Sequence, residues 1–256
     1  MHSSGLILSQ RVKYISIFKV KTPLWIMQEF HRKTLVSAFY SERAESYDDA
    51  IRRHPVISSI RERIVNELHL KNNASILDLG CGSGITGFEI RSRFDDVRIV
   101  GVDIADEMVK VAKRSAASEG YDTMEFLTGD MESIPFRDLT FDLILCINAI
   151  RYLKSLERIL AEIYRVLNDG GEFILIDSDR ESEHMNDEGS KMRVLKKHPL
   201  EEAFINSDGW NMMYNKDEIR EGLVTAKFEK IFIESEKMYF IARASKRCGI
   251  DGPDAI

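Results

Sequence analysis

Short apolar runs alternate with amphipathic segments along most of this sequence, and this alternation constrains the fold more than any other feature. The runs occupy residues 75–79, 97–102, 124–128, 141–147 and 171–177, and apolar residues recur at helical spacing between them. Such a pattern predicts βαβ units and a mainly parallel sheet with helices on both faces. We therefore predict an α/β fold with a doubly wound sheet.

Further elements are expected at both ends of this alternation. Two helices, over 36–49 and 56–70, precede the first strand, and a helix near 216–226 leads into apolar runs at 228–235 and 237–244. These two runs are joined so closely that they must pair antiparallel. The sequence thus predicts a Rossmann-like, mainly parallel seven-stranded sheet with an antiparallel last strand and N-terminal helices.

The length of 256 residues suits one sizeable domain. The first 33 residues differ from the rest, because they hold six basic residues and one acid whereas the whole chain carries a net charge of −6. Residues 178–214 are polar, contain glycine and proline, and predict a small lid between strands 5 and 6. We divide the chain into a basic extension (1–33), a domain (34–247) that includes the lid, and a tail (248–256).

Composition excludes several classes of protein. The three cysteines are odd in number and far apart, so they offer neither a disulfide framework nor a paired zinc site. We expect no metal and a reducing, cytoplasmic location. The net charge of −6 disfavours a non-specific nucleic-acid binder and favours a small-molecule partner. We expect neither a transmembrane helix nor a signal peptide, because no apolar run is long enough.

The most informative local sequence is Ser75-Ile-Leu-Asp-Leu-Gly-Cys-Gly-Ser-Gly84, in which a buried strand runs into a glycine-rich loop and then a helix. Glycines at alternate positions let the backbone turn tightly and approach a nucleoside ligand at the carboxyl end of the strand. A tight turn without a ligand would explain an isolated Gly-x-Gly equally well. The residues that follow therefore have to decide between the two.

Three aspartates stand where a nucleoside site needs them. Asp103 ends the next strand, 19 residues beyond Gly84, where a carboxylate can accept hydrogen bonds from both ribose hydroxyls. Asp130 closes the third strand and could accept from an exocyclic adenine amine, or else cap a turn. Asp78 lies inside an otherwise apolar strand, so its burial requires a hydrogen-bonding reason. Together they favour a nucleoside ligand.

Other nucleotide and hydrolase sites do not fit the spacing. A nicotinamide-dinucleotide loop would place glycine or alanine at the sixth position, which here is Ile85. A Walker lysine and the Gly-x-Ser-x-Gly turn of a serine hydrolase are also missing from the sequence.

At these residues the sequence resembles the class I S-adenosylmethionine-dependent methyltransferases. The resemblance runs from about Phe39 to Ala244 and looks most like the small-molecule branch that includes quinone-biosynthesis methyltransferases. The motifs that carry it are Ile76-Leu-Asp-Leu-Gly-Cys-Gly-Ser-Gly84, Val100-Gly-Val-Asp-Ile104 with Asp106-Glu-Met-Val-Lys110, Gly129-Asp-Met131 with Ile134-Pro-Phe136, Phe141-Asp-Leu-Ile-Leu145, and Ile163-Tyr-Arg-Val-Leu-Asn-Asp-Gly-Gly171.

The resemblance implies S-adenosylmethionine as the cofactor. It implies that Asp78 and the Gly80–Gly82 backbone border the methionine part, that Asp103 binds the ribose and that Asp130 takes the adenine amine. Tyr47 resembles the tyrosine of relatives that close an N-terminal helix over the cofactor, although helix packing would explain it as well. The implied cofactor-binding residues are Tyr47, Asp78, Gly80, Cys81, Gly82, Gly84, Asp103, Ile104, Asp130, Met131 and Asn148, with Ile104 and Met131 beside the adenine and Asn148 near the sulfonium.

The acceptor side departs from the family pattern. Many relatives have a histidine shortly after the fourth strand, where this chain reads Asn148-Ala-Ile-Arg-Tyr152, and the usual Pro-Gly-Gly turn is Asp169-Gly-Gly171. Tyr152 and the lid residues His184 and His198 are candidate general bases, and each could equally be an ordinary surface or lid residue. The catalytic residue stays open.

The sequence thus predicts methyl transfer by in-line displacement to an oxygen, nitrogen or carbon nucleophile of a small molecule. Such chemistry depends on placement more than on a strong acid or a metal. Two alternatives stay open: an RNA- or protein-modifying methyltransferase that docks through 1–33, and a relative that holds the cofactor without transferring methyl. The 1–33 segment could also lie on an anionic membrane, and the oligomeric state is not indicated.

The basic extension can be tested by shortening the chain. Because every cofactor motif lies downstream, we expect a chain that begins at Met27 to keep its unfolding temperature and its affinity for S-adenosylmethionine. Thermal unfolding and calorimetry on the 256-residue and shortened chains measure both quantities. A large fall in either would mean that residues 1–26 pack into the domain or over the acceptor pocket.

Overall fold

A computed structural model describes residues 24–150, 153, 155–186 and 213–248. Its helices are α1 (Leu24–Arg52), α2 (Pro55–Glu67), α3 (Ile85–Arg91), α4 (Asp106–Glu119), α5 (Leu156–Val166), α6 (Glu183–Asn186) and α7 (Lys216–Thr225). Its strands are β1 (Ala74–Leu79), β2 (Val97–Asp103), β3 (Glu125–Thr128), β4 (Phe141–Ile147), β5 (Leu167–Ser178), β6 (Glu229–Glu236) and β7 (Tyr239–Ser245).

The seven strands form one sheet in the order β3-β2-β1-β4-β5-β7-β6. The pairs from β3 to β5 are parallel, whereas β7 runs antiparallel to both of its neighbours. The predicted α/β fold, with a doubly wound, mainly parallel seven-stranded sheet, is therefore confirmed. The chain order reverses between β1 and β4, and ligands of open α/β sheets bind at the carboxyl ends of the strands beside such a switch point.

Helices cover both faces of the sheet, and the sheet separates the two larger apolar clusters of the core. One contains Ile163 of α5 and Leu223 of α7, and the other contains Ile60 of α2. The neighbouring residues Ile76 and Leu77 of β1 belong to opposite clusters, because successive side chains of a strand point to opposite faces. Both are fully buried, as the continuous apolar run predicts.

Strand β5 is longer than predicted, and it includes residues 169–171, where a glycine turn was expected. It begins at Leu167, and its pairing register with β4 shifts between Phe141 and Leu143. Gly170 has a φ of +74°, and a Cβ on Gly171 would lie 2.8 Å from a backbone oxygen of the same segment. Residues 169–171 therefore form an irregularity within β5 instead of a turn before it.

The N-terminal helices differ from prediction in their bounds. Helix α1 begins at Leu24, well before the predicted residue 36, and α2 ends three residues before the predicted residue 70. His54 caps α2, because its Nδ1 accepts from the backbone N–H of Ile57 at 3.4 Å. The division predicted after residue 33 falls inside α1, and residues 1–23 lie outside the described residues, so the extent of the extension stays a prediction.

Helix α1 lies against α4. Ala44 forms a small apolar cluster with Ala105, Met108 and Val111, and Tyr40 and Tyr47 pack against it. This contact places one face of α1 above the carboxyl end of β2. Among the described helices, none is both long enough and apolar enough to cross a bilayer.

Candidate functional site

Two adjoining cavities lie at the carboxyl ends of β1, β2 and β4, beneath α1. The larger one is lined by residues of α1 and of the loops that follow β1, β2, β3 and β4. Tyr47, Gly80, Gly82, Ile147 and Asn148 line both cavities. The two cavities therefore form one candidate site with a larger and a smaller compartment.

The loop after β1 separates and supports these compartments. Gly80 and Gly82 have φ values of +76° and +53°, a region that glycine adopts without steric cost. A Cβ on Gly80 would lie 2.3 Å from the Cβ of Ala149, so only glycine fits there. The backbone N–H of Gly80 donates to the carbonyl oxygen of Val102 at 2.7 Å, and that of Gly82 donates to Asp103 Oδ2 at 2.8 Å. The loop is thus bonded directly to the end of β2.

Asp103 faces the larger cavity from the end of β2. Its Oδ1 accepts from the backbone N–H of Ala105 at 2.8 Å, while Oδ2 accepts from Gly82. Burial raises the pKa of Asp103, and the N–H groups of Ala105, Gly82 and Ile104 oppose that rise. A carboxylate oxygen can accept more than one hydrogen bond, so both oxygens can also accept from a ligand.

Asp78 lies below the loop and lines the smaller cavity. It is 2% exposed, and its Oδ2 has no hydrogen-bond partner among the described residues. Burial raises the pKa of Asp78 to about 7, the charge of Asp103 adds to the rise, and the N–H of Gly87 opposes it. The hydrogen bonding that the sequence led us to expect is therefore only partly supplied within the protein.

Arg61 of α2 is a charged residue of the smaller cavity that sequence reasoning missed. It is 3% exposed, and its Nε and Nη2 donate to Glu89 at 2.9 and 2.8 Å. A buried guanidinium and the Asp78 carboxyl thus line the same compartment, which offers both a donor and an acceptor to a zwitterion. No motif surrounds Arg61, so only the three-dimensional structure reveals it.

Helix α1 covers the larger cavity and contacts the loops that follow β1, β2 and β3. The residues involved lie along one face of the helix, because they recur at helical spacing. The contacts are Lys33 Nζ to Asp130 Oδ2 at 2.7 Å, Ser37 Oγ to the carbonyl oxygen of Ile104 at 3.0 Å, and Ser83 Oγ to Asp48 Oδ1 at 2.8 Å.

The ring of Tyr47 packs within α1 and also lines the candidate site. Its ring packs edge to face on Tyr40 with centroids 5.5 Å apart, which is a helix-packing contact. The same ring lines both cavities, and one of its carbons lies 3.6 Å from the position of a Cβ on Gly82.

The loop after β4, on the expected acceptor side, is fixed by β5. Asn148 has a φ of +57°, and its N–H donates to the carbonyl oxygen of Ile176 at 2.7 Å. Buried Asp177 accepts from the N–H of Ile150 at 3.2 Å. Asp177 stands near the end of an apolar strand, as Asp103 does. This position could have indicated a functional residue in the sequence, but Asp177 was not singled out there.

Most of the predicted site residues line the two cavities. The exceptions are Gly84, His184, and the residues that the structure does not describe. Gly84 caps α3, a Cβ there would meet the rings of Phe88 and Phe126, and the residue lines neither cavity. His184 is exposed and lines neither cavity. Tyr152, His198 and lid residues 187–212 lie outside the described residues. The larger cavity is lined by Tyr47, Gly80, Gly82, Asp103, Ile104, Asp130, Met131 and Asn148, and the smaller one adds Asp78 and Cys81.

Comparison with known proteins identifies the class. Residues 70–229 match the family model described as a methyltransferase domain. A sterol 4-C-methyltransferase of Caenorhabditis elegans is 28% identical over 71% of this chain and 52% of its own length. A demethylmenaquinone methyltransferase of Symbiobacterium thermophilum is 31% identical over 58% of this chain and 61% of its own. The crystal structure of an S-adenosylmethionine-dependent methyltransferase from Aquifex aeolicus matches with a TM-score of 0.59 and 22% identity, over 80% of this chain and 97% of that one.

The chain belongs to the methyltransferase-domain family and has the Rossmann-like fold of the class I enzymes. The predicted family and its cofactor, S-adenosylmethionine, are confirmed. The chain spans little more than half the length of the two curated relatives described above.

Buried Asp78 generates a pH-dependent prediction. The unfolded carboxyl loses its proton near pH 3.8, whereas the folded one keeps it to about pH 7, so the native state binds more protons across that window. The free energy of unfolding should therefore fall as pH rises from about 4 to 7, by on the order of 4 kcal/mol. Asp78→Asn should reduce this slope, and the raised pKa of Asp103 should account for part of any slope that remains. Urea unfolding at a series of pH values measures both slopes.

Asp142→Asn is the matched control. Burial alone would raise the pKa of Asp142, but hydrogen bonds from Lys71, Ser75 and Asn168 lower it, so it titrates below this window. The control should shift stability without changing its slope between pH 5 and 7. An unchanged slope in Asp78→Asn would contradict the prediction.

Proposed function

We propose that this chain transfers a methyl group from S-adenosylmethionine to an oxygen, nitrogen or carbon nucleophile of a small molecule. The observation that carries the proposal is the convergence, in one cavity, of the glycine turn at Gly80–Gly82 with the carboxylates of Asp103 and Asp130. Asp103 ends β2 and Asp130 follows the adjacent strand β3, and ligands of open α/β sheets bind at such strand ends.

The described residues offer the hydrogen-bonding and apolar groups that S-adenosylmethionine requires. We assign the ribose hydroxyls to Asp103, the adenine amine to Asp130, and the faces of the adenine to Ile104 and Met131. In the smaller compartment, Asp78 Oδ2 has no hydrogen-bond partner within the part of the chain that the structure describes, and it suits the methionine ammonium.

Arg61 and the glycine turn complete this assignment. The guanidinium of Arg61 suits the methionine carboxylate, and the absence of a side chain at Gly80 and Gly82 lets the backbone approach the ligand. The cofactor supplies an activated methyl group, so the protein has to bind, orient and exclude water.

The acceptor is proposed to be apolar or amphipathic. Ala149 and Leu153 line the larger cavity beside Asn148, and the relatives named above act on a sterol and a quinone precursor by their names. Their names favour a small acceptor over RNA or protein. Tyr152, His184 and His198 stay candidate bases; of these, His184 would have to move to reach the cavity.

A cytoplasmic location is proposed on separate grounds. Cys81, Cys146 and Cys248 are all free thiols, as expected in a reducing compartment.

Cofactor binding tests the first part of the proposal. We expect calorimetry to detect S-adenosylmethionine and S-adenosylhomocysteine, and Asp103→Ala to weaken both by about 1.5–3 kcal/mol through loss of charge-assisted hydrogen bonds. Asp106→Ala is the control, because this exposed acid lies three residues away and outside the cavity. Binding of NAD without binding of either cofactor form would refute the assignment.

Methyl transfer tests the second part. Purified protein incubated with methyl-labelled cofactor and extracted small metabolites should yield a labelled small molecule that mass spectrometry detects. Label that enters only RNA or protein fractions would support a macromolecular substrate instead. Binding without any transfer would support a relative that holds the cofactor for another purpose.

A further inference from the structure

Lys33 occupies a position that neither the family pattern nor the proposed function explains. It lies on α1, lines the larger cavity and is only 18% exposed in its side chain. Its ammonium lies 2.7 Å from Asp130 Oδ2 and 2.8 Å from Glu132 Oε2. The carboxylate assigned to the adenine amine therefore already has a cation beside it.

This ion pair places a hydrogen-bond donor, the Lys33 ammonium, next to an acceptor, the Asp130 carboxylate. An ammonium has three N–H donors, and Asp130 and Glu132 account for two. The third has no partner among the described residues, on a side chain that lines the cavity. Asp130 Oδ1 accepts only from the N–H of Glu132 among those residues, so its carboxylate keeps acceptor capacity as well.

Adenine presents the complementary edge. Its exocyclic amine is a donor, and a ring nitrogen acceptor, N1 or N7, flanks it on each side. A ligand whose amine donates to Asp130 brings one of these nitrogens towards the ammonium, because the ammonium contacts the same carboxylate. A purine with a carbonyl in place of the amine would instead set an acceptor against Asp130.

We propose that Lys33 takes part in recognising the adenine base. It donates its third N–H to a ring nitrogen beside the exocyclic amine, while Asp130 accepts from the amine. This inference rests on the proposed function, because it takes an adenosyl ligand as given. Glu132, 7% exposed in its side chain, then keeps the ammonium in place when Asp130 is shared with the ligand.

Analogues of S-adenosylhomocysteine in which a C–H group replaces N1 or N7 test the proposal directly. Calorimetry should show that the unchanged protein binds one of the two analogues about 10-fold more weakly than the parent ligand, because a charge-assisted hydrogen bond is lost. Lys33→Met should reduce that ratio to about 1. The ratio is taken within each protein, so a general loss of affinity cancels.

Lys110→Met is the matched control. Lys110 also bridges two carboxylates, Asp106 at 2.7 Å and Glu107 at 2.8 Å, but it does not line the cavity. This control should keep the ratio of the unchanged protein. Lys33→Ala, expected to give a ratio of about 1, serves if the methionine variant fails to fold.

The outcomes separate the two proposals. Equal binding of the parent ligand and both analogues by the unchanged protein would overturn the role of Lys33 and leave the cofactor assignment standing. An undiminished ratio in the Lys33 variants would assign the hydrogen bond to another donor and would also overturn it. Failure of the unchanged protein to bind S-adenosylhomocysteine at all would overturn the proposed function together with this inference.

Discussion

The hydrogen bonds between the loop after β1 and the end of β2 determine the geometry of the whole site. The carbonyl oxygen of Val102 accepts from both Gly80 and Cys81, at 2.7 and 3.1 Å, and the next N–H, of Gly82, goes to the Asp103 carboxylate. The same interactions that close the turn therefore also orient the acid. A side chain at Gly80 would clash with Ala149 of the loop after β4, so this third loop depends on the turn as well.

The position of two carboxyl groups beside this turn determines the electrostatics of the site. Near the turn, Asp78 is buried and Asp103 is partly buried. Removal from water raises the pKa of both carboxyls because it penalises the charged form, and the charge of Asp103 further raises the pKa of Asp78. Two such acids favour a ligand that brings positive charge and hydrogen-bond donors to the site. An ammonium and a sulfonium in one molecule meet that requirement better than a phosphate would, which agrees with the absence of a dinucleotide glycine pattern in the sequence.

The sequence predicted the elements whose signals are local. Continuous apolar runs predicted β1 and β4, and the turn with Asp103 and Asp130 predicted the larger cavity, because each signal occupies a few consecutive residues at a strand end. The family resemblance places Gly84 among the ligand-binding glycines, whereas in the structure its left-handed conformation begins α3 against aromatic rings. Local sequence does not distinguish these two uses of glycine.

Other parts of the site depend on contacts distant in sequence. Lys33 forms an ion pair with Asp130, which lies 97 residues away in the sequence. Arg61 lines the smaller cavity because α2, which carries it, packs against α3. A lone lysine or arginine in a helix carries no indication of such a partner. The bounds of α1 were missed for a related reason, since its contacts with the sheet are few and do not produce a clear apolar periodicity.

The way α1 is attached has a consequence for access to the site. Among its described side chains, Val36 and Ala44 are the buried apolar ones, whereas the much shorter α2 buries Ile57, Ile60, Ile64 and Val65. Helix α1 is thus attached through its small apolar cluster with α4 and through polar contacts to the loops it covers. The polar contacts contribute less net stability than apolar burial, because water replaces them on opening. Among the described side chains, α1 buries fewer apolar ones than α2 does, so we expect its separation from the site to cost less free energy than the separation of α2.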